Sequence, residues 1–308
     1  MKLMVFSSII MSTIERSRVV VDITYYANAT DFLAKAGQYL AKDEARYGLI
    51  LGLAKGVAKF PERFTKDKPW FCSISTGKVI NAAAMRTPPN MLIAAHFSGY
   101  LKAVAEALVT GVADSYEVMP GVVGDKELAD VFARRWCEKH NVKITHTMAQ
   151  RIYRLDKVNP VPLSPGRLRP ATVKDKELVD EWRHAFVIET GVGNAPERDI
   201  TPALEIGWIF LWEDGKPVSM AHQSRPTDKG MNVSGVYTPP ELRGRGYATS
   251  CVAELSRSIL QSGKEFCMLY TDLANPTSNS IYIIIGYKPV GDSVQHTFEM
   301  PENSGATA

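Results

Sequence analysis

Val236-Tyr237-Thr238-Pro239-Pro240-Glu241-Leu242-Arg243-Gly244-Arg245-Gly246-Tyr247-Ala248-Thr249 is the stretch that decides the fold. The apolar and β-branched run from Met231 to Thr238 predicts a strand. Ala248, Cys251, Val252, Leu255 and Ile259 recur at helical spacing between Tyr247 and Ser262. Between them, Gly244 and Gly246 leave no side chain in the way of a ligand approaching the backbone. The first N–H groups of a helix lack internal partners and carry partial positive charge, so this turn predicts an anion site. Arg243 and Arg245 add charge nearby, and Ala248 keeps the first turn small. Two glycines alone would suit a plain strand-to-helix turn with surface arginines. The rival is a dinucleotide-binding turn, for which Glu265 stands near the distance of a ribose-binding acid. Gly244-x-Gly246-x-x-Thr249 lacks the third small position of that fingerprint, and Pro239-Pro240 oppose a tight turn directly off a parallel strand.

Outward from this turn the C-terminal half alternates strands and helices. Leu168–Thr172 predicts a strand, Asp175–Val187 a helix, and Ile206–Trp212 a strand. Asp214-Gly215 marks a hairpin to a return strand, Pro217–Ser224. Phe266–Thr271 is a further strand. Asn275 caps a helix with Pro276 at its first position and Gly286 at its end. Two late strands are expected near Tyr287–Val290 and Val294–Met300.

Val158–Gly166 holds prolines at 160, 162 and 165 and predicts an extended linker. It sets two expected domains, residues 1–160 and 166–308. The N-terminal half has a similar order, with strands near Val19–Tyr26, Trp70–Ser75, Val79–Met85, Met91–Ala95 and Lys143–Ile152. Its helices are expected near Asp31–Ala41, Glu44–Ala58, Tyr100–Val109 and Lys126–Lys139. That order suggests a duplicated α/β fold, although no residue-level repeat is visible.

With 308 residues, 45% hydrophobic and 22% charged, the chain can bury about two ordinary cores without staples. A formal net charge of +3 is too small to point to a nucleic-acid partner. The cysteines 72, 137, 251 and 267 show no C-x-x-C spacing, and the six histidines show no metal-ligand spacing, so neither disulfides nor a metal is expected. No apolar run approaches the roughly 18 residues that span a bilayer, so no membrane association is expected. The first ten residues faintly resemble a signal peptide with a short apolar core, and Met11 is a more natural start. A reducing, cytoplasmic location is the expectation.

Arg243-Gly244-Arg245-Gly246-Tyr247-Ala248 resembles the Q/R-x-x-G-x-G/A signature of the GNAT superfamily of acyl-CoA-dependent N-acyltransferases. Tyr270–Tyr282, continuing to Ile285-Gly286-Tyr287, resembles the second cofactor motif of that superfamily, and Leu168–Thr172 its opening strand. The likeness spans about residues 166–300 in the right order. It implies a GNAT-type mixed, mostly antiparallel sheet flanked by helices, with acetyl-CoA as cosubstrate and no metal. The pantetheine would pair with Met231–Thr238, including Val236, Tyr237 and Thr238, in a gap between two splayed strands. The pyrophosphate would lie on the amides of 243–248, with Thr249 beside them. Asn275, Ser278 and Asn279 match cofactor-contact positions, and a backbone N–H near Val236 would polarise the thioester carbonyl. Tyr282 matches the tyrosine that protonates the leaving thiolate.

Chemistry agrees with that last role. An amine with a pKa of about 10.4 must lose a proton before it attacks, and the departing thiolate, about 8.5, needs one. A nearby phenol can supply it, for a gain of about 10²-fold. Tyr282 lies one helical turn after Ser278; the bland alternative is a core tyrosine. Glu205, His222 and Ser234 are the candidate bases, with a satisfied sheet histidine the preferred reading of His222. The function expected is transfer of acetyl to an amine of a small molecule by direct attack. The alternatives are a non-catalytic acetyl-CoA sensor and a nicotinamide-dinucleotide enzyme. Ile283-Ile284 adds an apolar pair that suggests cover by the N-terminal half or by a second subunit in a homodimer. In the N-terminal half, Ala95-His96-Phe97-Ser98-Gly99-Tyr100 stands where the cofactor turn would be and makes a weak anion site, so this half is not expected to bind coenzyme A.

Overall fold

The computed structural model describes residues 19–64, 68–88, 91–191 and 199–300. The signal-peptide-like start and residues 192–198 lie outside them. The N-terminal half places β1 (Asp22–Tyr26), β2 (Trp70–Thr76), β3 (Val79–Arg86), β4 (Leu92–His96), β5 (Gly121–Asp125) and β6 (Ile144–Leu155) among helices α1 (Ala29–Leu40), α2 (Gly48–Lys59), α3 (Leu101–Ala113) and α4 (Lys126–His140). The C-terminal half repeats the pattern with β7 (Arg167–Pro170), β8 (Ile209–Asp214), β9 (Lys216–Ser224), β10 (Gly230–Tyr237), β11 (Phe266–Asp272) and β12 (Lys288–Phe298). Its helices are α5 (Lys176–Thr190), α6 (Thr201–Glu205), α7 (Tyr247–Gln261) and α8 (Pro276–Ile285).

All these strands form one sheet in the order β1-β2-β3-β4-β5-β12-β6-β11-β10-β9-β8-β7. The order is a palindrome of the two halves. In each, the fourth and fifth strands are parallel, Leu92–Ala94 with Val122–Gly124 and Gly230–Asn232 with Phe266–Met268. The sixth strands are exchanged. β12 pairs with β5 of the other half, β6 pairs with β11, and β6 and β12 pair with each other from Lys288↔Arg154 to Phe298↔Ile144. The cores follow the exchange: Val294 and Phe298 of β12 sit in the N-terminal core with Phe132 and Trp136, while Tyr153 and Leu155 of β6 sit in the C-terminal core with Leu255 and Leu269. The duplicated mixed sheet expected from the sequence is thus present twice.

Three local expectations need correction. β12 is one strand, not two, because the apparent break at Gly291 is a register shift between Pro289 and Gly291 within a continuous pairing. Gly121–Asp125 and Thr201–Glu205 form a strand and a short helix that the periodicity did not reveal. Ile283 and Ile284 are 57% and 53% exposed, so the N-terminal half does not cover them.

A chain cleaved within 158–164, where no helix or strand runs, should therefore stay together on size-exclusion chromatography. Residues 166–308 expressed alone should lack a cooperative thermal transition by circular dichroism, having lost the strand between β11 and β12. A cooperative melt of that fragment would mean that the exchange is dispensable.

Candidate active site

β10 and β11 keep parallel pairing only as far as Asn232↔Met268. Beyond that point β11 is held on its far edge by β6, as far as Asp272↔Gln150, and β10 by β9. The edge of β10 facing β11 from Val233 to Tyr237 is therefore open inside the sheet, where an extended ligand can complete the ladder. A bulge between Ser234 and Tyr237 leaves Gly235 and Val236 out of register with β9. Gly235 has φ +58°, and a Cβ there would come within 2.9 Å of the His222 ring, so only glycine fits.

The chain then passes through a short turn at Pro240–Leu242 into the loop before α7. Gly244 and Gly246 both take left-handed backbone, φ +74° and +78°. Among the described residues, none of the amide N–H groups from Gly244 to Thr249 has a partner; the first satisfied one is Ser250, which donates to Gly246 O at 3.0 Å. These donors converge where a helix start already favours negative charge. The linker braces the loop from behind: Ser164 Oγ donates to Arg245 O (2.7 Å), Ser164 N donates to Ser250 Oγ (2.8 Å), and a Cβ on Gly246 would lie 2.8 Å from Ser164 Oγ. Tyr247 is buried, and its hydroxyl donates to Asp214 (2.7 Å), tying the helix start to the β8–β9 hairpin.

Arg243 does not supply the free charge expected of it. Its Nε donates to Thr238 O (2.9 Å), its Nη2 to Glu189 Oε2 (2.6 Å), and its guanidinium lies over Tyr237. It supports the loop instead. The carbonyls of Tyr237 and Thr238 are likewise engaged, the former by Ser219 Oγ and the latter by Arg243, so what these residues still offer a ligand is not those oxygens.

α8 begins as expected, with the Asn275 side chain accepting from Ser278 N at 3.0 Å, so Asn275 serves first as a helix cap. Asn279 Nδ2 donates to the carbonyls of Asp272 and Asn275, and its Oδ1 accepts from Tyr153 (3.0 Å). Tyr153 comes from β6 of the other half, a site residue that only the strand exchange reveals. Tyr282 is buried against Tyr287 and Tyr153, with ring centroids 5.8 and 6.4 Å away. Its hydroxyl has no hydrogen-bond partner among the described residues, and burial pushes its pKa up to about 12, so it keeps its proton at neutral pH.

The opposite face of the same gap carries the base candidates. His222 faces Ser234 across β9 and β10, and Ser234 Oγ lies 3.0 Å from Ser224 Oγ. His222 is not a satisfied sheet histidine: its Nε2 is sealed from solvent without a partner. Burial, and secondarily the charge of Arg183, pushes its pKa down to about 4, so it is neutral at pH 7 but a weak base. Glu205 ends α6 with its side chain exposed and is not brought into contact with His222 or Ser234 by any hydrogen bond. No group of three His, Cys, Asp or Glu among the described residues could hold a metal, and no helix among them is long and apolar enough to cross a membrane.

This fold, with a parallel strand pair that opens at one end and a glycine-bent loop entering a helix, is shared with solved structures of GCN5-related N-acetyltransferases and of a tandem GNAT protein. Residues 214–295 match the family model described as FR47-like protein. Among solved structures, a Drosophila protein superposes with a TM-score of 0.67 at 13% identity, over 90% of this chain and 98% of its own. A GCN5-related N-acetyltransferase from Sphaerobacter thermophilus gives 0.57 at 14%, over 91% and 96%. A tandem GNAT protein from the clavulanic acid biosynthesis pathway gives 0.51 at 11%, over 91% and 98%. No curated protein sequence matches the chain.

Because His222 takes up a proton near pH 6.5 when unfolded and near 4 when folded, its contribution to stability is intact above pH 6.5 and is lost as pH falls toward 4. The loss should reach about 3 kcal/mol. Urea unfolding at pH 7.0 and 4.5 should show a smaller acid loss for His222→Gln than for the natural chain. Equal losses would mean that His222 is not held neutral.

Proposed function

We propose that the chain is an acyl-CoA-dependent N-acyltransferase that moves acetyl from acetyl-CoA directly to the amine of a small molecule, at a single site in its C-terminal half. The observation that carries this is the run of unpartnered amides from Gly244 to Thr249, continuous with the open edge of β10. The amides suit a diphosphate, and the strand edge suits the amide groups of an extended pantetheine arm. Val236, left out of the β9 ladder by the bulge, is the residue whose N–H would polarise the thioester carbonyl.

In the reaction the amine nitrogen forms a bond to the carbonyl carbon, the carbon–sulfur bond breaks, and the sulfur leaves with the electron pair. Tyr282 holds the proton that the sulfur takes up; its protonated, unpartnered hydroxyl at the α8 end of the gap fits that role. The proton lost by the amine leaves on the other face, toward His222 and Ser234. With a pKa near 4, His222 acts there as an acceptor of a hydrogen bond or a relay to water. Direct transfer is favoured over a cysteine intermediate because Cys251 and Cys267 are buried and their thiol pKa values are pushed up to about 12.

The N-terminal half, residues 1–160, has a supporting role in this proposal. Its equivalent strand pair offers little free edge: β4 ends at His96, two residues past its last pairing Ala94↔Gly124, whereas β10 runs on from Asn232 to Tyr237. A cavity of about 20 Å³, room for one water, lies between Ala94, Asp125 and Arg46. The loop at 96–99 is stitched by Asn81, whose carbonyl accepts from Phe97 N (2.7 Å) and whose amide donates to Ser98 O (3.1 Å). A non-catalytic acetyl-CoA sensor would share the same binding site, and turnover separates the two.

Isothermal titration with acetyl-CoA should give one site per chain. Tyr282→Phe should lower turnover about 10²-fold, measured as release of free thiol with a panel of amines, and leave the acetyl-CoA Kd within about twofold. No binding heat would end the proposal, and unchanged turnover would remove Tyr282 from the chemistry.

A further inference from the structure

Buried polar atoms in folded chains are almost always hydrogen-bonded, and each exception calls for an explanation. Five side-chain atoms among the described residues are sealed from solvent without a partner: Arg46 Nε, His140 Nε2, His222 Nε2, Arg225 Nε and Asn232 Oδ1. Arg46 lines the water-sized cavity of the N-terminal half, and the His140 ring stacks on Trp136 at the end of α4, with centroids 3.9 Å apart. The other three lie together. His222 is across from Ser234 and Asn232 across from Ser224, all on one face of β9 and β10, and Arg225 follows Ser224 in the chain. Asn232 Nδ2 donates to Ser224 Oγ at 3.0 Å, which in turn meets Ser234 Oγ at 3.0 Å. This is the face of the gap turned away from α7 and α8.

Arg225 is the unusual member. It is a non-glycine residue in left-handed backbone, φ +45°, a conformation that tertiary packing must impose. The packing comes from the N-terminal half: a Cβ on Gly52 of α2 would come within 2.8 Å of Arg225 Cβ and 2.9 Å of its carbonyl. Glycine at 52 is what lets the arginine sit between helix and sheet. Its guanidinium has no ion pair and no hydrogen bond within the chain among the described residues. The carboxylates of the surrounding segments are engaged elsewhere. Glu44 accepts from Lys229 N (3.1 Å), Asp43 from Arg46 N (3.2 Å), and Asp228 pairs with Lys55. Tyr270, the other polar group beside Arg225, has its hydroxyl occupied by Arg46 O (3.1 Å) and Leu49 N (3.4 Å). Burial disfavours the charged arginine, whereas Arg46, Arg151, Arg169 and Arg243 are all favoured by a carboxylate neighbour. Arg225 is half-buried with its Nε sealed, so its charge is partly desolvated yet still within reach of a ligand, and an incoming anion can supply the partner that the described residues do not.

Building on the acyltransferase proposal, we infer that Arg225 is the acceptor-binding residue for an oxyanion, so that the amine acceptor carries a carboxylate, sulfonate or phosphate. The planar fork of the guanidinium suits such a group. Asn232 Oδ1, an acceptor on the same face, suits the N–H of the acceptor's amine. The site is shared between the halves, since α2 forms its roof.

The test uses the full chain with coenzyme A present and reads binding of acetylated amines, whose acid groups span the three oxyanion classes. The probes are N-acetyl-β-alanine, N-acetyltaurine, N-acetylphosphoethanolamine and neutral N-acetylethanolamine, at constant ionic strength. At least one anionic probe should bind at least tenfold tighter than the neutral one, the range expected for a charge-assisted pair. Which one it is identifies the oxyanion. Arg225→Gln should abolish that preference, keep the coenzyme A Kd, and not lower the Tm of the ligand-free protein, because it removes a half-buried charge that has no partner among the described residues. A merely structural arginine would lower the Tm on replacement. Absence of any anion preference in the natural chain, or its survival in Arg225→Gln, would overturn the assignment. Failure to bind coenzyme A would instead sink the acyltransferase proposal, so the two failures are told apart.

Discussion

The pairing of β6 with β12 is the interaction on which the molecule depends. These strands leave their own halves, cross, and each closes the other half's sheet, so neither half has a complete core without its partner. An open strand edge within a sheet is costly, because backbone N–H and C=O groups there lack partners. β10 and β11 can stay apart beyond Asn232 because each is anchored on its outer side, β11 by residues 150–155 of β6 and β10 by β9. The exchanged strand therefore acts as a splint on one wall of the gap. It also delivers Tyr153, whose hydroxyl holds Asn279 and thereby the end of β11 against the start of α8.

The two copies of the fold have the same strand order and differ in a few residues that decide whether the gap opens. In the N-terminal copy β4 is shorter than β10, its parallel partner approaches through Gly124, and the following turn is closed by Asn81. The C-terminal copy has a glycine bulge in the strand, glycines at 244 and 246, and a loop whose carbonyl side is braced by Ser164 while its N–H side is left bare. The N-terminal copy contributes instead a strand and a helical roof. Its α2 reaches the C-terminal half at Tyr270 through Leu49 N, at Met268, which glycine 48 admits, and at Arg225, which glycine 52 admits.

What the sequence disclosed follows from how local each feature is. The loop before α7, the Asn275 cap and the hairpin at Asp214-Gly215 each depend on a few adjacent residues with special backbone needs, and all stand where the composition put them. The strand exchange was not legible, because β6 and β12 read as ordinary terminal strands and nothing local says which neighbour they choose. Gly291 imitated a turn, since a bulge and a turn use the same residue. Arg225 was invisible for a related reason: Ser224-Arg225-Pro226-Thr227-Asp228 has the composition of a solvated loop, and only the approach of α2 from far upstream half-buries it. Arg243 shows the converse. Its place in the loop suggested a ligand charge, while Glu189, on a distant helix, claims it.

The two faces of the gap differ in kind, and that difference bears on how a two-substrate site can be selective. On the side of α7 and α8 the free donors are backbone amides, invariant to side-chain change and shaped by glycine, so they suit a cosubstrate part that never varies, a diphosphate. On the side of α2 the free groups are side chains, Arg225, Asn232 and His222. Side chains can be exchanged one at a time without disturbing the ladder, so this is where a duplicated fold can acquire a new acceptor while keeping its donor. If Arg225 meets the acceptor as proposed, its partial desolvation raises the free energy of the empty site, and a matching anion recovers that cost whereas a neutral molecule does not. On the reading proposed above, discrimination between acceptors comes from the cost of leaving the wrong one unpaired, a cost set by α2, which packs on Arg225 from the N-terminal half.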